Sequence, residues 1–313
     1  MSITALYDVA APAKLNLFLH ITGRRPDGYH LLQSVFVLID WCDTLHIERR
    51  KDGRLQRHDL ALPLPADDLS LRAAQLLQTE SGSTWGADIS IEKRVPWGAG
   101  MGGGSSDAAS TLLALNRLWG LNWPLSRLLP LGLQLGADVP FFLGGHNALV
   151  EGIGEILRPL PELPPLWLAV AKPAEAIATK SIFSSNLLSR STKAAIVAGL
   201  LQSTNDSAQN AISPVDAQSK ESEVVSLEQV VAGWGGNDLQ PPAQSVCNEV
   251  TSVAHWLHQR FGNSRMTGSG SAVFSRAGTG GQPDTMWPAD LPPAWTGRMC
   301  RSLTQHPLAG WAC

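Results

Sequence analysis

A glycine-rich stretch constrains this chain more than any other feature: Pro96-Trp97-Gly98-Ala99-Gly100-Met101-Gly102-Gly103-Gly104-Ser105-Ser106-Asp107. It follows residues 87–93, where Ile89 and Ile91 alternate with polar neighbours, a period of two that reads as a strand. It precedes residues 105–119, where Ala108, Leu112, Leu115 and Trp119 recur at helical spacing and Gly120 offers a stop. Five glycines in the seven residues 98–104 let the backbone take positive φ and approach a ligand closely. The free N–H groups at the helix start point to the same place, with the positive end of the helix dipole behind them. Together these make an anion site suited to phosphate. A merely flexible turn would need far less glycine.

The familiar phosphate loops fail on their supporting residues. No Lys follows the glycines, so GxxxxGK[ST] is absent. Gly98, Gly100 and Gly103 match GxGxxG, but a nicotinamide-dependent oxidoreductase would carry an acid about 20 positions on, at a strand end. That region here reads LWGLNWP. A protein kinase would add a valine after the third glycine, with HRD and DFG downstream, and none of these is present.

Composition narrows the class. The 313 residues allow two domains. At 44% hydrophobic the chain can bury a large core, which excludes global disorder. A net charge of −3 argues against a nucleic-acid coat or an anionic-membrane binder, while leaving room for a local basic pocket. Cys42, Cys247, Cys300 and Cys313 form no CxxC pair, which fits a reducing, cytoplasmic compartment and argues against structural zinc. The first residues lack the basic start and apolar stretch of a signal peptide, and no run reaches the roughly 18 apolar residues of a membrane span.

Periodicity predicts strands over 14–22, 35–39, 43–49, 166–171 and 272–275, with a Pro26-Asp27-Gly28 turn after the first. It predicts a helix capped by Asp67 or Asp68, carrying Leu71, Ala74 and Leu77 and stopping near Gly82. A second helix should cover 126–135 with Ser126 as cap, which puts Pro130 at the edge of the first turn. A third should cover 243–260. After GADVP (136–140) the chain reads as a strand. PELPPL (161–166) reads as a linker. Residues 202–230 hold six Ser, four Gln and no aromatic, and read as a mobile surface insertion of low burial.

Four segments carry a resemblance: PAKLNLFLHITGRRPDGYH (12–30), PWGAGMGGGSSDAA (96–109), GADVPFF (136–142) and MTGSGSAVF (266–274). Together they resemble the signatures of the GHMP kinases. The glycine loop alone marks only that superfamily. GRRPDGYH combined with GADVPFF resembles the members that phosphorylate a cytidine-diphosphate-linked methylerythritol in the non-mevalonate route to isoprenoid precursors. The resemblance covers residues 8–184, Asn237-Asp238-Leu239 and 265–275. It implies an α+β, two-domain GHMP kinase fold: a ribosomal-protein-like, ATP-binding N-terminal domain over 1–160, and a ferredoxin-like C-terminal domain over 161–313 with the insertion at 202–230. It implies ATP-dependent phosphorylation of the substrate's 2-hydroxyl in the cleft between the domains, with Mg2+ and without nucleic-acid or membrane partners. A homoserine- or mevalonate-type kinase, or an inactive binding module on the same fold, remains the alternative.

Residue roles follow from the resemblance. Asp138 in GADVP is the base or orienting group for the substrate hydroxyl, although an Asp beside Pro is most often a turn residue. Lys14 is the cation beside it, stabilising charge on the transferred phosphoryl group. Asn16, on the same strand face by the two-residue period, contacts substrate hydroxyls. Tyr29 and Phe183 form an aromatic sandwich for the cytosine, His30 hydrogen-bonds it, and Thr179 adds a polar contact. Pro96, Gly98, Ala99, Gly100, Met101, Gly102, Gly103, Gly104, Ser105 and Ser106 hold the ATP phosphates, with Lys93 and Leu69 on the adenine side. Two positions depart from the family pattern: Asp68 stands where Asn is usual, and Thr267 where Ser is frequent. The metal ligands are not assigned.

Overall fold

The protein is described here from a computed structural model, covering residues 3–61, 63–161, 163–198 and 223–312. Two long antiparallel strands, β1 (Ala5–Arg24) and β2 (His30–Arg50), are joined by the Pro26-Asp27-Gly28 turn. The two strands expected over 35–39 and 43–49 are one, because nothing from Val35 to Arg50 breaks the chain: it contains neither Gly nor Pro. Register shifts in the β1–β2 ladder fall between Pro12 and Lys14 and between Asn16 and Leu19. They bracket Lys14 and Asn16, two of the expected site residues.

β3 (Leu55–Asp59), β4 (Gly86–Glu92), β5 (Ala148–Glu151) and β6 (Ile156–Pro159) complete a six-stranded sheet ordered β3-β4-β2-β5-β6, with β1 paired to β2. Helix α1 (Leu69–Ser81) begins where the Asp68 side chain accepts from Leu71 N–H, and ends at Gly82 in the left-handed region. Helix α2 (Gly103–Leu118) is buried along almost its whole length from Ser106 onwards. Helix α3 (Leu125–Leu135) starts two residues earlier than a Ser126 cap implied, with Pro124 at its N-cap. Pro130 therefore lies inside the helix and removes one backbone donor there. The expected strand after GADVP is instead a short helix, α4 (Val139–Gly144), with Pro140 in its first turn, where its fixed φ suits the helix. The strand starts only at Ala148.

The second layer is a four-stranded antiparallel sheet, ordered β10-β11-β7-β12: β7 (Trp167–Lys172), β10 (Arg265–Met266), β11 (Val273–Gly278) and β12 (Thr296–Arg301). Helix α5 (Thr179–Phe183) follows β7. The helix expected over 243–260 is two, α7 (Gln240–Val246) and α8 (Asn248–Phe261), separated by an extended Cys247. β8 (Ala195–Ala198) and β9 (Glu223–Ser226) pair in parallel, and α6 (Leu227–Ala232) follows. Residues 202–222 of the expected insertion lie outside the described residues. Its end, 223–230, is mixed: Glu223, Val224, Glu228 and Gln229 are exposed as expected, while Val225 and Val230 are fully buried and Ser226 and Gln229 form a capping box.

Two connections tie the sheets together. Leu19 N–H donates to Gly236 O, and Asp238 N–H returns to Leu19 O. The chain after β12 crosses back to the first layer, where Ser302 bridges Ile39, Gln305 bridges His146, and Leu308 joins the core around α2. Among the described residues no helix is long and apolar enough to cross a membrane.

Candidate active site

The glycine loop sits against a second glycine turn, 268–270. A Cβ on Gly100 would stand 2.3 Å from Thr267 O, and one on Gly268 would stand 2.5 Å from Gly100 O. Gly100 and Gly102 also hold φ near +70°. Only glycine allows both the conformation and the approach. Ser271 and Ala272 N–H donate to Gly98 and Ala99 O, and Lys14 N–H donates to Met101 O. These bonds use carbonyls and leave N–H groups free. The N–H groups of Gly103, Gly104 and Ser105, at the start of α2, have no acceptor among the described residues. They face a cavity of about 260 Å3 that Leu69, Lys93, Pro96 and Gly98 to Ser105 line. An anion fits there.

That cavity opens past Gly98, Gly100 and Gly102 into a second one of about 360 Å3, which holds Lys14, Asn16, Asp138 and Thr179. Lys14 Nζ lies 3.6 Å from Asp138 Oδ2, an ion pair too long for a hydrogen bond. The ammonium is 4% exposed and the carboxylate 32%, so Asp138 is the member open to the cavity. Lys14 Nζ also donates to Asn16 Oδ1 at 2.7 Å and lies 4.4 Å from the Phe36 ring centre. Burial pushes its pKa down from the ordinary lysine value, and the Asp138 charge opposes that.

A third cavity, about 620 Å3, shares Leu32, Ile153 and Phe183 with the second. Tyr29, His30 and Phe183 line it. Tyr29 is exposed, while the His30 ring lies 5.2 Å from Phe183 at 32°. His30 Nε2 is buried without a hydrogen-bond partner. Burial, with Arg24 and Arg190, lowers the His30 pKa, so the ring is neutral at neutral pH and can pair with a base edge. The three cavities form one trough. A further cavity of about 1060 Å3, beside β11 and α6, contains none of these residues.

Several expected contacts have their polar groups committed elsewhere. Lys93 lines the phosphate cavity, but its ammonium is held by Asp43 and, at 2.6 Å, by Asp107. The Asn16 side chain is buried. Its Oδ1 accepts from Lys14, Thr267 Oγ1 and Gly268 N–H, and its Nδ2 donates to Ser34. Ala99 and Met101 turn their side chains into the core, leaving only backbone for a ligand. Thr179 Oγ1 meets Ser269 Oγ at 2.8 Å, linking α5 to the second glycine turn. Ser106 Oγ and Asp107 Oδ1 are buried without partners.

Sequence reading missed Asp43, which accepts from Lys93, Arg94 N–H and Val95 N–H and so fixes the approach to the loop. No local signal announces it, since its partners lie about fifty residues away. It also missed Trp97, 72% exposed at the phosphate cavity, whose exposure no pattern of neighbours foretells.

The family model for the N-terminal domain of GHMP kinases matches residues 68–146. The 4-diphosphocytidyl-2-C-methyl-D-erythritol kinase of Methylibium petroleiphilum is 62% identical over 314 positions, covering 100% of both chains. Its namesake in Variovorax paradoxus is 56% identical over 308, covering 98% of this chain and 99% of its own. A crystal structure of 4-(cytidine 5'-diphospho)-2C-methyl-D-erythritol kinase superimposes with a TM-score of 0.67 at 33% identity, covering 87% of this chain and 90% of that one. Homoserine kinase from Cytophaga hutchinsonii, at 14% identity and a TM-score of 0.60 over 97% and 95% of the two chains, shares the fold. The chain therefore belongs to the GHMP kinases, with their two-domain α+β fold, and among them to the 4-diphosphocytidyl-2-C-methyl-D-erythritol kinase family.

Proposed function

We propose that the chain transfers the γ-phosphoryl group of ATP to the 2-hydroxyl of 4-diphosphocytidyl-2-C-methyl-D-erythritol. The observation that carries this reading is the trough. An anion site at the start of α2 opens onto the Lys14–Asp138 pair, which opens onto an aromatic pocket with an unpartnered imidazole nitrogen. The order matches a nucleotide triphosphate, a reacting hydroxyl and a base. Backbone N–H groups of residues 103–105 hold the phosphates. Asp138 accepts a hydrogen bond from the acceptor hydroxyl and takes its proton as the new P–O bond forms. The Lys14 ammonium, fixed by Asn16, stabilises charge moving onto the phosphoryl oxygens. Tyr29 and Phe183 flank the cytosine, and His30 reads its edge.

Mg2+ fits this donor set as a partner of the phosphates. Lys14 and Lys93 are already paired with carboxylates, and Ser106 Oγ lies buried and unpartnered at the helix start beside Ser105. Among the described residues no group of three or more His, Cys, Asp or Glu side chains could hold a metal. The ion would therefore rest chiefly on phosphate oxygens, with a serine hydroxyl, and would neutralise triphosphate charge. We place the division between the domains in the linker around 160–166, between the last strand of one sheet and the first of the other.

The test is Asp138→Asn. Its kcat should fall by about 10²- to 10⁴-fold, with ATP affinity measured by calorimetry unchanged. Near-normal turnover would remove Asp138 from the chemical step.

A further inference from the structure

Lys172 is a buried lysine outside the trough. It ends β7, and only 7% of it is exposed. A buried ammonium has three donors to satisfy and normally needs a carboxylate. Among the described residues Lys172 has no carboxylate in an ion pair. Its Nζ donates instead to three successive carbonyls of the loop that follows: Pro173 O at 2.7 Å, Glu175 O at 3.1 Å and Ala174 O at 3.4 Å. Residues 173–178 belong to neither helix nor strand, so no ladder serves those carbonyls.

The loop backs the phosphate site. Ser271 Oγ donates to the same Glu175 O at 2.6 Å, and Ser271 N–H donates to Gly98 O. Ala176 lies so close to Gly98 that a Cβ there would stand 2.8 Å from Ala176 Cβ. Ile177 lines the cavity of Lys14 and Asp138 beside Gly268, Ser269 and Gly270. Gly98 lines both that cavity and the anion cavity, whereas Lys172 lines neither. The ammonium is therefore one loop removed from the backbone that surrounds the phosphates.

We propose that Lys172 is a positioning residue for ATP: by gathering the carbonyls of 173–175 it holds this loop against Gly98 and Ser271, and so fixes the phosphate loop against the second glycine turn. The inference rests on the phosphate site proposed above. That backbone meets ATP equally before and during transfer, so losing its support raises KM and spares kcat. The groups that face the ammonium are the Cys247 thiol and the Glu249 carboxylate at the start of α8, and the Glu175 carboxylate bears on the same thiol. Burial lowers the Lys172 pKa, and Cys247 and Glu249 oppose that. Only the charged form carries all three donors. ATP affinity should therefore fall as pH rises through the lowered pKa.

Calorimetry of Mg-ATP binding and steady-state kinetics on the full-length protein test this. Lys172→Met keeps the apolar stem and removes the donors. It should weaken ATP binding by about tenfold, with kcat near the wild-type value. Ser271→Ala removes the other donor to Glu175 O and should weaken binding less. The double variant should lose less than the product of the two, because both act on one carbonyl. Lys172→Arg should bind ATP nearly as the wild type does at neutral pH, and lose the alkaline weakening, because arginine stays charged. A Lys172→Met variant that binds ATP as the wild type does, a fall in kcat with KM unchanged, or losses that simply multiply with Ser271→Ala overturn the role. Should Lys172→Met not fold, an alkaline weakening that persists in Lys172→Arg overturns it. If Gly100→Ala weakens ATP binding and Lys172→Met does not, the phosphate site stands and the positioning role falls. If neither does, both fall.

Discussion

Burial of the Lys14 ammonium lowers its pKa below the ordinary 10.5, and Asp138 pulls it back only in part. The charged form is the one that the proposed mechanism uses to stabilise the transferred group. Activity should therefore fall as pH rises through the lowered pKa, at a pH below the usual lysine value. Arginine does not deprotonate in that range. Lys14→Arg should accordingly lose the alkaline limb of the kcat profile, whatever its absolute rate; an unchanged limb would assign it to another group. Lys14 and Asp138 were legible in sequence only through the motifs around them, since a strand-end lysine and an aspartate before Val-Pro are ordinary surface residues. What sequence could not convey is that Asn16 points inward. Its oxygen gathers three donors, from Lys14 and from residues 267 and 268, some 250 positions away.

The glycine loop shows how much depends on backbone at the scale of an element. Its spacing announced a phosphate site, and the fold explains each constraint. Gly100 must clear Thr267 O, Gly102 must clear the Phe142 ring, and both sit at positive φ. Gly82, the α1 C-cap, has a similar φ but open space around it. The two therefore separate strain from collision. Gly82→Ala should cost only about 1 kcal/mol of stability and leave the KM for ATP unchanged. Gly100→Ala should displace the loop and raise that KM by at least about tenfold, which costs about 1.4 kcal/mol of binding. Equal effects would mean that the close approach at Gly100 does no functional work. Other elements were misread for local reasons. VPFFLG is apolar enough for a strand, but Pro140 suits a first helical turn and Gly145 stops the helix. The single helix expected over 243–260 breaks because Cys247 is extended, and nothing in the composition marks that residue as a break.

At the scale of the whole molecule, the site is assembled from distant segments. The phosphate loop, Lys14 and Asp138 come from the first sheet layer, while Thr179, Phe183 and the 268–270 turn come from the second. Asp43 and Asp107 grip Lys93 beneath the loop, and burial, with the Asp43 charge beside it, raises the Asp107 pKa to about 8 against the pull of Lys93. The chain ends by returning to the first layer, so the two layers are fastened by the tail as well as by the Leu19–Asp238 contact. Sequence conveyed the two layers through their strands, yet it could not convey this closure, because the closing residues 302–308 carry no motif. The low net charge has a structural counterpart here: backbone N–H groups without acceptors, not surplus lysines, line the proposed phosphate site. The central claim is that the whole trough, from anion site to base pocket, recognises one acceptor. It is tested by ADP release with 4-diphosphocytidyl-2-C-methyl-D-erythritol, homoserine and mevalonate supplied separately with Mg-ATP. The account predicts turnover with the first alone, and turnover with either of the others but not with the first would contradict it.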